Sequence, residues 1–361
     1  MLVLSNTEIE QLFDMGECIS ILEEMYVDFA HGEALNSFRS ENLSSCGVQD
    51  SHFLFKQMGG TWPAKRVHAL RINSDIIQYP TIGATVRRVK VPAAHGRWVG
   101  LVHLYSTETG QLLAIFPDGV MQRMRVGATT AIAARHLARD DAARVGLIGA
   151  GWQAGAQLLA IHAVRPLQSV RVFSPRTASR AAFAQHMRDK LDIEVEAVDS
   201  ASDCVKGADI ILAATSSLVP VIDPAWLTDG THVSCIRTEE LSADVLARCD
   251  RVIVHIRDDQ QLESLIAPGT PAADYHQRNF AAQRGELPDS EIPWSTFPEL
   301  TDLVAERVAA RTRQGEITCF INNVGLGLQF AAAGWWIFEK ARLSGIGREL
   351  PDDWFSQDVH S

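Results

Sequence analysis

The chain has 361 residues, 46% of them hydrophobic and 21% charged, with a formal net charge of -11 and a pI near 5.5. These are ordinary globular values in a chain long enough for two domains. The acidic balance, with no Lys/Arg run against it, argues against nucleic acid or an anionic membrane as partner.

The N-terminus reads as a short strand and then helices. Ser5 and Glu8 have capping-box spacing ahead of Ile9, Leu12 and Phe13. Ile19, Leu22, Met25, Tyr26 and Phe29 form a second helical stripe that stops near Gly32. From about 36 to 118 the pattern turns to β, with strands at 52–55, 67–72 and 99–105 and a hairpin turn at Glu108-Thr109-Gly110. Within it, Arg87-Arg88-Val89-Lys90-Val91-Pro92 is a basic run that reads either as a pocket wall or as a solvated hairpin. After Pro117 an Ala- and Thr-rich helix is expected over 124–137.

Residues 145–156, VGLIGAGWQAGA, then join an apolar strand to a glycine turn and a helix start. Free backbone N–H groups and the helix dipole at such a turn suit a pyrophosphate, with Gly149 and Gly151 admitting it and Ala154 or Gly155 letting the helix pack on the sheet. Trp152 and Gln153 open that helix beside the cofactor. Leu158, Leu159 and Ile161 supply its apolar stripe, and Val170–Phe173 is the next strand. At the end of that strand an NAD enzyme carries an acid for the ribose 2′-hydroxyl; here stand Ser174, Pro175, Arg176 and Thr177. A guanidinium and two hydroxyls suit a 2′-phosphate, which favours NADP(H) over NAD(H).

Strand and helix patterns alternate onward through 177–190, 194–198, 209–214, 231–236, 242–248 and 251–255, the signature of a parallel sheet covered by helices. Thr215 and Ser216 end one of these strands, where loops cross a cofactor. Residues 267–298 are rich in Pro, Gly and polar side chains and read as a surface excursion. The tail returns to helix over 325–343, ended by Gly345, Gly347 and Pro351. The six cysteines are scattered without CxxC or Cys/His metal spacing, and no histidine arrangement suggests a metal. They read as small core residues of a reducing compartment. The first residues, MLVLSNTEIEQLF, lack a basic leader, and no apolar run has membrane-spanning length, so a cytoplasmic protein is expected.

Arg125-Val126-Gly127-Ala128, followed by AIAARHLA and GLIGAGWQA, resembles the ornithine cyclodeaminase/μ-crystallin family. Gly207-Ala208-Asp209-Ile210-Ile211 before Ala214-Thr215-Ser216-Ser217, and later Gly230-Thr231-His232 and Glu316–Phe320, fall in the family's order. The resemblance implies an α/β fold: a Rossmann doubly wound parallel sheet inserted in an α+β substrate and dimerisation domain. Residues 1–120 plus 320–361 would form the latter and 121–319 the dinucleotide-binding domain. It also implies a homodimer, and a substrate carboxylate held by arginines that fall here on Arg39, Arg71 (where the family has Lys) and Arg125.

Two departures from the family pattern bear on the substrate. The cyclodeaminase loop with its Asp reads here Arg237-Thr238-Glu239-Glu240-Leu241, which removes the counter-charge for an ω-ammonium and disfavours ornithine. The family's "G-x-A-x-x-D" reads Gly325-Leu326-Gly327-Leu328-Gln329-Phe330. The expected activity is hydride exchange between a nicotinamide and the C–N carbon of an amino or imino acid, as in imine reductases and opine-type dehydrogenases. A proton donor is needed, with Lys56, Lys90, Glu239 and Glu240 as candidates, and Lys56 and Glu240 are carried as catalytic. The alternatives are a cyclodeaminase-like lyase with recycled NAD and a non-catalytic NADPH-dependent ligand binder.

Overall fold

The computed structural model describes residues 1–82, 85–86, 89–92, 94–217, 219–257, 262–267, 269–270, 274, 292 and 296–359. Most of the 267–298 excursion, and Arg87 and Arg88 of the basic run, lie outside the described residues. No described helix is long and apolar enough to cross a membrane.

Seven parallel strands form one sheet, in the order Glu194–Ala197, Ser169–Phe173, Arg144–Ile148, Ile210–Ala213, His232–Cys235, Thr318–Ile321, Arg251–Val254. Central strands such as Ile210–Ala213 are buried throughout, as expected of strands covered on both faces. The chain reverses direction across the sheet between Arg144–Ile148 and Ile210–Ala213, so the crevice at their carboxyl ends is the topological switch point where such sheets bind ligands. This is the α/β doubly wound architecture expected from the alternation of patterns.

The second sheet, ten-stranded among the described residues, runs Leu262–Ile266, Arg39–Ser45, His52–Trp62, Val67–Gln78, Val99–Ser106, Leu112–Pro117, Leu2–Val3, Arg348–Glu349, with Leu35–Asn36 and Val89–Val91 beside it. Several of these strands lie outside the sequence expectation, Arg39–Ser45 and Leu262–Ile266 among them. Arg39–Ser45 is too polar to read as a strand, and Leu262–Ile266 falls in the stretch assigned to the dinucleotide-binding half, yet pairs with Arg39–Ser45. That pairing covers an edge that would otherwise expose unsatisfied backbone groups.

Helices Asn6–Leu12 and Met15–Ala30 follow the first strand, the former closed by the Ser5/Glu8 capping box. The helix expected from Met124 begins five residues earlier, at Gly119, because Val120 and Met121 are buried and tertiary packing outweighs the weak local start. This helix, Gly119–Leu137, and the C-terminal helix Leu328–Ser344 share one core with the N-terminal helices and the second sheet. Gly345 ends the latter in the left-handed conformation.

Candidate active site

The glycine turn is set by close approaches. A Cβ on Gly149, whose φ is +121°, would lie 2.2 Å from the Ala214 carbonyl oxygen, so the turn between strand Arg144–Ile148 and the helix that follows admits glycine alone. Gly151 caps helix Trp152–Val164 without a side-chain partner, and a Cβ there would meet no atom within 4 Å. The protein leaves this space and the first helical N–H groups to a ligand, which fits the pyrophosphate of a dinucleotide. Trp152 is half exposed beside this turn.

Helix Gly119–Leu137 packs on that helix through Gly127, where a Cβ would lie 2.4 Å from the Ala156 carbonyl oxygen. The approach brings Gln122 within 3.3 Å of Gln153, and Arg125, one turn on, lines one cavity with Gln153.

At the neighbouring strand end, Arg176 and Thr177 are exposed and Ser174 is half-buried. Arg180 donates to the Ser174 carbonyl at 3.0 Å and pairs with Asp199.

Thr215 and Ser216 follow strand Ile210–Ala213. Ser216 is exposed, whereas the Thr215 N–H and hydroxyl both donate to Glu240 Oε1, at 2.6 and 2.7 Å. Glu240 Oε2 accepts from the Ile236 N–H at 3.0 Å. Burial raises the Glu240 pKa against these bonds. Its carboxylate therefore ties two loops together and lines neither cavity described below, apart from the other residues expected to be catalytic. Glu239, its neighbour, reaches the cavity instead.

The remaining candidates converge. Arg39, Lys56, Arg71 and Arg125 line one cavity of about 290 Å³, which also takes Ile236, Arg237 and Asn322 from the carboxyl ends of the Rossmann strands. Strand register explains the convergence: Met58 lies opposite Arg71, and Lys56 opposite both Asn73 and Glu41, so these side chains share one face. On that inward face, strand Val67–Gln78 carries Arg71, Asn73 and Asp75, all buried.

Each cation on this wall is held. Arg71 donates from Nε and Nη2 to Asp118 Oδ2 at 2.8 and 2.6 Å, and Asn73 donates to the same oxygen at 3.2 Å. Arg39 pairs with buried Glu41. Asp75 takes Lys90 at 2.8 Å and Lys56 at 3.7 Å.

Arg125 donates to Gln329 Oε1 at 2.6 Å, and both Arg125 and Arg71 lie 5.3 Å from the Phe330 ring centroid. Burial, and then the nearby Arg71 and Arg39, pull the Arg125 pKa down to about 9, which leaves it charged at neutral pH. Buried guanidiniums without a full set of counter-charges attract an anion, and a carboxylate matches their paired donors.

A second cavity of about 1000 Å³ adjoins the first across Arg71 and Gln153 and reaches Trp98, Arg123 and Trp152. Lys90, from the basic run, and Arg97 line it.

Sequence reasoning missed the acids behind the cations: Glu41, Asp75 and Asp118. Polar residues at alternate positions of an otherwise buried strand (Arg71, Asn73, Asp75) were the signal available for them. It also missed Gln329 and Phe330 as neighbours of Arg125, and that pairing spans 204 positions with no local trace.

The model of the ornithine cyclodeaminase/mu-crystallin family matches residues 90–345. An NAD(P)H-dependent anabolic L-arginine dehydrogenase of Pseudomonas aeruginosa is 29% identical over 92% of this chain and 94% of its own. A Delta(1)-pyrroline-2-carboxylate reductase of Bacillus cereus is 26% identical over 97% and 99% of the respective chains. The solved Thermococcus litoralis Delta(1)-pyrroline-2-carboxylate reductase, in complex with NADH and L-proline, shares the fold. Its TM-score is 0.74 at 24% identity, over 97% of this chain and 100% of that one.

Proposed function

The chain belongs to the ornithine cyclodeaminase/mu-crystallin family, and from that premise we propose that it is an NAD(P)H-dependent oxidoreductase acting on the C–N bond of an amino or imino acid. The observation that carries the reading is the convergence of Arg39, Arg71 and Arg125 on a cavity bounded by Rossmann strand ends. The reductive names of similar proteins, the dehydrogenase of Pseudomonas aeruginosa and the reductase of Bacillus cereus, support the same direction.

When bound, the reduced cofactor supplies a hydride (two electrons with one proton) from nicotinamide C4 to the carbon of a protonated C=N bond, giving an amine and the oxidised ring. The chain's own residues do the rest. Arg125, with Arg71 and Arg39, takes the substrate carboxylate and fixes the prochiral carbon beside the strand ends. Lys56, buried in the same wall and held by Asp75, is the proton donor we assign. Gln153 and the uncapped N–H groups after Gly151 receive the pyrophosphate, and Thr215 and Ser216 border the cofactor. Arg176, Ser174 and Thr177 would take a 2′-phosphate, so we favour NADP(H) over NAD(H).

We infer a homodimer as well, because Leu265 is 58% exposed beside half-buried Phe53 and Phe55 on the outer sheet. Six unpaired cysteines support a reducing, cytoplasmic setting.

The test is the loss of reduced-nicotinamide absorbance with a panel of cyclic imino acids, and of 2-oxo acids with amines, using NADPH and NADH in parallel. Turnover that falls by a factor on the order of 100 or more in Arg125→Ala is expected, the loss for one buried charge pair. Ammonia release from ornithine with no net cofactor change would replace this reading with the lyase.

A further inference from the structure

The larger of the two cavities, about 1000 Å³, takes no part in the steps above. It meets the arginine cavity along Arg71, Asn73, Lys90, Gln122 and Gln153. Among the described residues, none of its lining comes from the segments after strands His232–Cys235 and Thr318–Ile321, which bound the smaller cavity. Trp152 and Gln153 are its only described residues from the glycine-turn helix. A dinucleotide lying across the strand ends therefore leaves most of this space open. An imino acid as small as that of alanine would leave it open too, whereas small-molecule sites enclose most of their ligand.

The charged side chains of this cavity are paired with one another. Arg71 takes Asp118 at 2.6 Å, Lys90 takes Asp75 at 2.8 Å and Arg123 takes Glu10 at 3.1 Å, while Arg97 stands in solvent. What stays uncovered is apolar. Trp98 is 62% exposed, Trp152 52% and Val99 42%, and all three line this one cavity. Indoles are highly buried on average, so two exposed on one concave surface mark a place where a ligand docks. Trp152 is also held in place: the Arg123 guanidinium lies 5.4 Å from its ring centroid and is tied in turn to Glu10. A ring fixed in this way is a preorganised platform for a second ring, and aromatic pairs contribute beyond the area they bury.

We propose that the substrate is an imino acid bearing an aromatic arm, its carboxylate held by Arg125 and its neighbours and its arm seated in the larger cavity against Trp98 and Trp152. This rests on the oxidoreductase reading above and names its substrate class. The arm stands on the prochiral carbon or on the nitrogen, the two ends of the reacting bond. A 2-oxo acid and an amine condense to the imine with loss of water. The imine then takes one proton and one hydride to become the amine, and NADPH leaves as NADP⁺. The arm stays unreacted and serves recognition.

The experiment compares matched pairs with NADPH. Phenylpyruvate with methylamine is set against pyruvate with methylamine, which places the ring on the carbon. Pyruvate with 2-phenylethylamine is set against the same reference, which places it on the nitrogen. In one of the two arms the aromatic substrate should show a kcat/KM about tenfold or more above the reference. Trp98 is exposed, so Trp98→Ala leaves the core intact. In that variant the ratio should fall about fivefold or more through KM, with Trp98→Phe restoring most of it. Ratios near one in both arms, or a ratio untouched by Trp98→Ala, overturn the proposal. So does a Trp98→Ala effect confined to the KM for NADPH, which would give the cavity to the cofactor.

Silence of every pair would instead count against the oxidoreductase reading. The preference for a ring then remains readable from calorimetry on the protein with NADP⁺, with 3-phenylpropanoate against propanoate and N-(2-phenylethyl)glycine against N-methylglycine. One aromatic ligand should bind about tenfold tighter than its partner and lose that advantage in Trp98→Ala; equal affinities within both pairs would sink the inference.

Discussion

Arg125 donates its Nη1 proton to Gln329 Oε1 at 2.6 Å, joining helix Gly119–Leu137 to helix Leu328–Ser344. The Gln329 amide is saturated. Its oxygen also accepts from the Leu326 N–H at 2.9 Å, and its nitrogen donates to the Tyr26 hydroxyl at 2.8 Å and the Thr129 hydroxyl at 2.7 Å. Tyr26 in turn bonds His255 Nε2 at 2.6 Å, and burial drives the His255 pKa down to about 3, so this network is neutral at its far end. Arg125 is thus aimed by a rigid, uncharged support.

Gln329→Leu removes all four bonds while keeping bulk. We expect a stability loss of about 2–4 kcal/mol from the buried partners left unmade, and a KM for the imino acid raised on the order of tenfold or more as Arg125 loses its aim. Gln329→Glu gives a sharper contrast. It supplies Arg125 with an internal carboxylate, so substrate affinity should fall although the arginine stays in place. Denaturant unfolding and steady-state kinetics on both variants check this.

Gly325 is the space into which the Arg125 guanidinium packs: a Cβ there would lie 2.4 Å from Nη1. Gly325→Ala is expected to displace the guanidinium and raise KM by about tenfold or more with a small change in melting temperature. A variant with wild-type KM would show that Arg125 does not hold the substrate where we place it.

Cofactor preference should respond to Arg176. Arg176→Asp substitutes a carboxylate, which accepts from a ribose hydroxyl and repels a 2′-phosphate. The ratio of kcat/KM for NADPH over NADH is expected to fall by a factor of about ten to a hundred. An unchanged ratio would remove the basis for favouring NADP(H).

Acid stability should track Asp209. Burial pushes its pKa up, but the hydrogen bond from Arg144 and the N–H groups of Ala143 and Arg144 pull it further down, to about 2 from 3.8. A depressed carboxylate contributes stability above its unfolded pKa and loses it as the pH falls through the folded one. The contribution should therefore be complete above about pH 4 and gone below about pH 2. Asp209→Asn should cost about 2 kcal/mol at pH 7 and flatten the acid limb of the stability curve over that window. Urea unfolding at pH 7 and pH 3 measures both.

Periodicity and turn chemistry are local properties, and the chain displayed them in its sequence. The Ser5/Glu8 capping box, the strand–glycine–helix unit at 145–156 and the alternation that follows each depend on residues a few positions apart, so they could be read directly. Arg39, Arg71 and Arg125 could be named from motif resemblance for the same reason. Tertiary structure alone decided which groups surround them. Asp118, Gln329 and Phe330 reach the arginines through strand register and helix packing across tens to hundreds of positions, distances over which no sequence period survives, whereas Glu41 stands two positions from Arg39 on one strand. The fate of Glu240 turned on the same point: beside Glu239 in the chain, it folds inward to bind Thr215 and Ile236, while its neighbour faces the cavity.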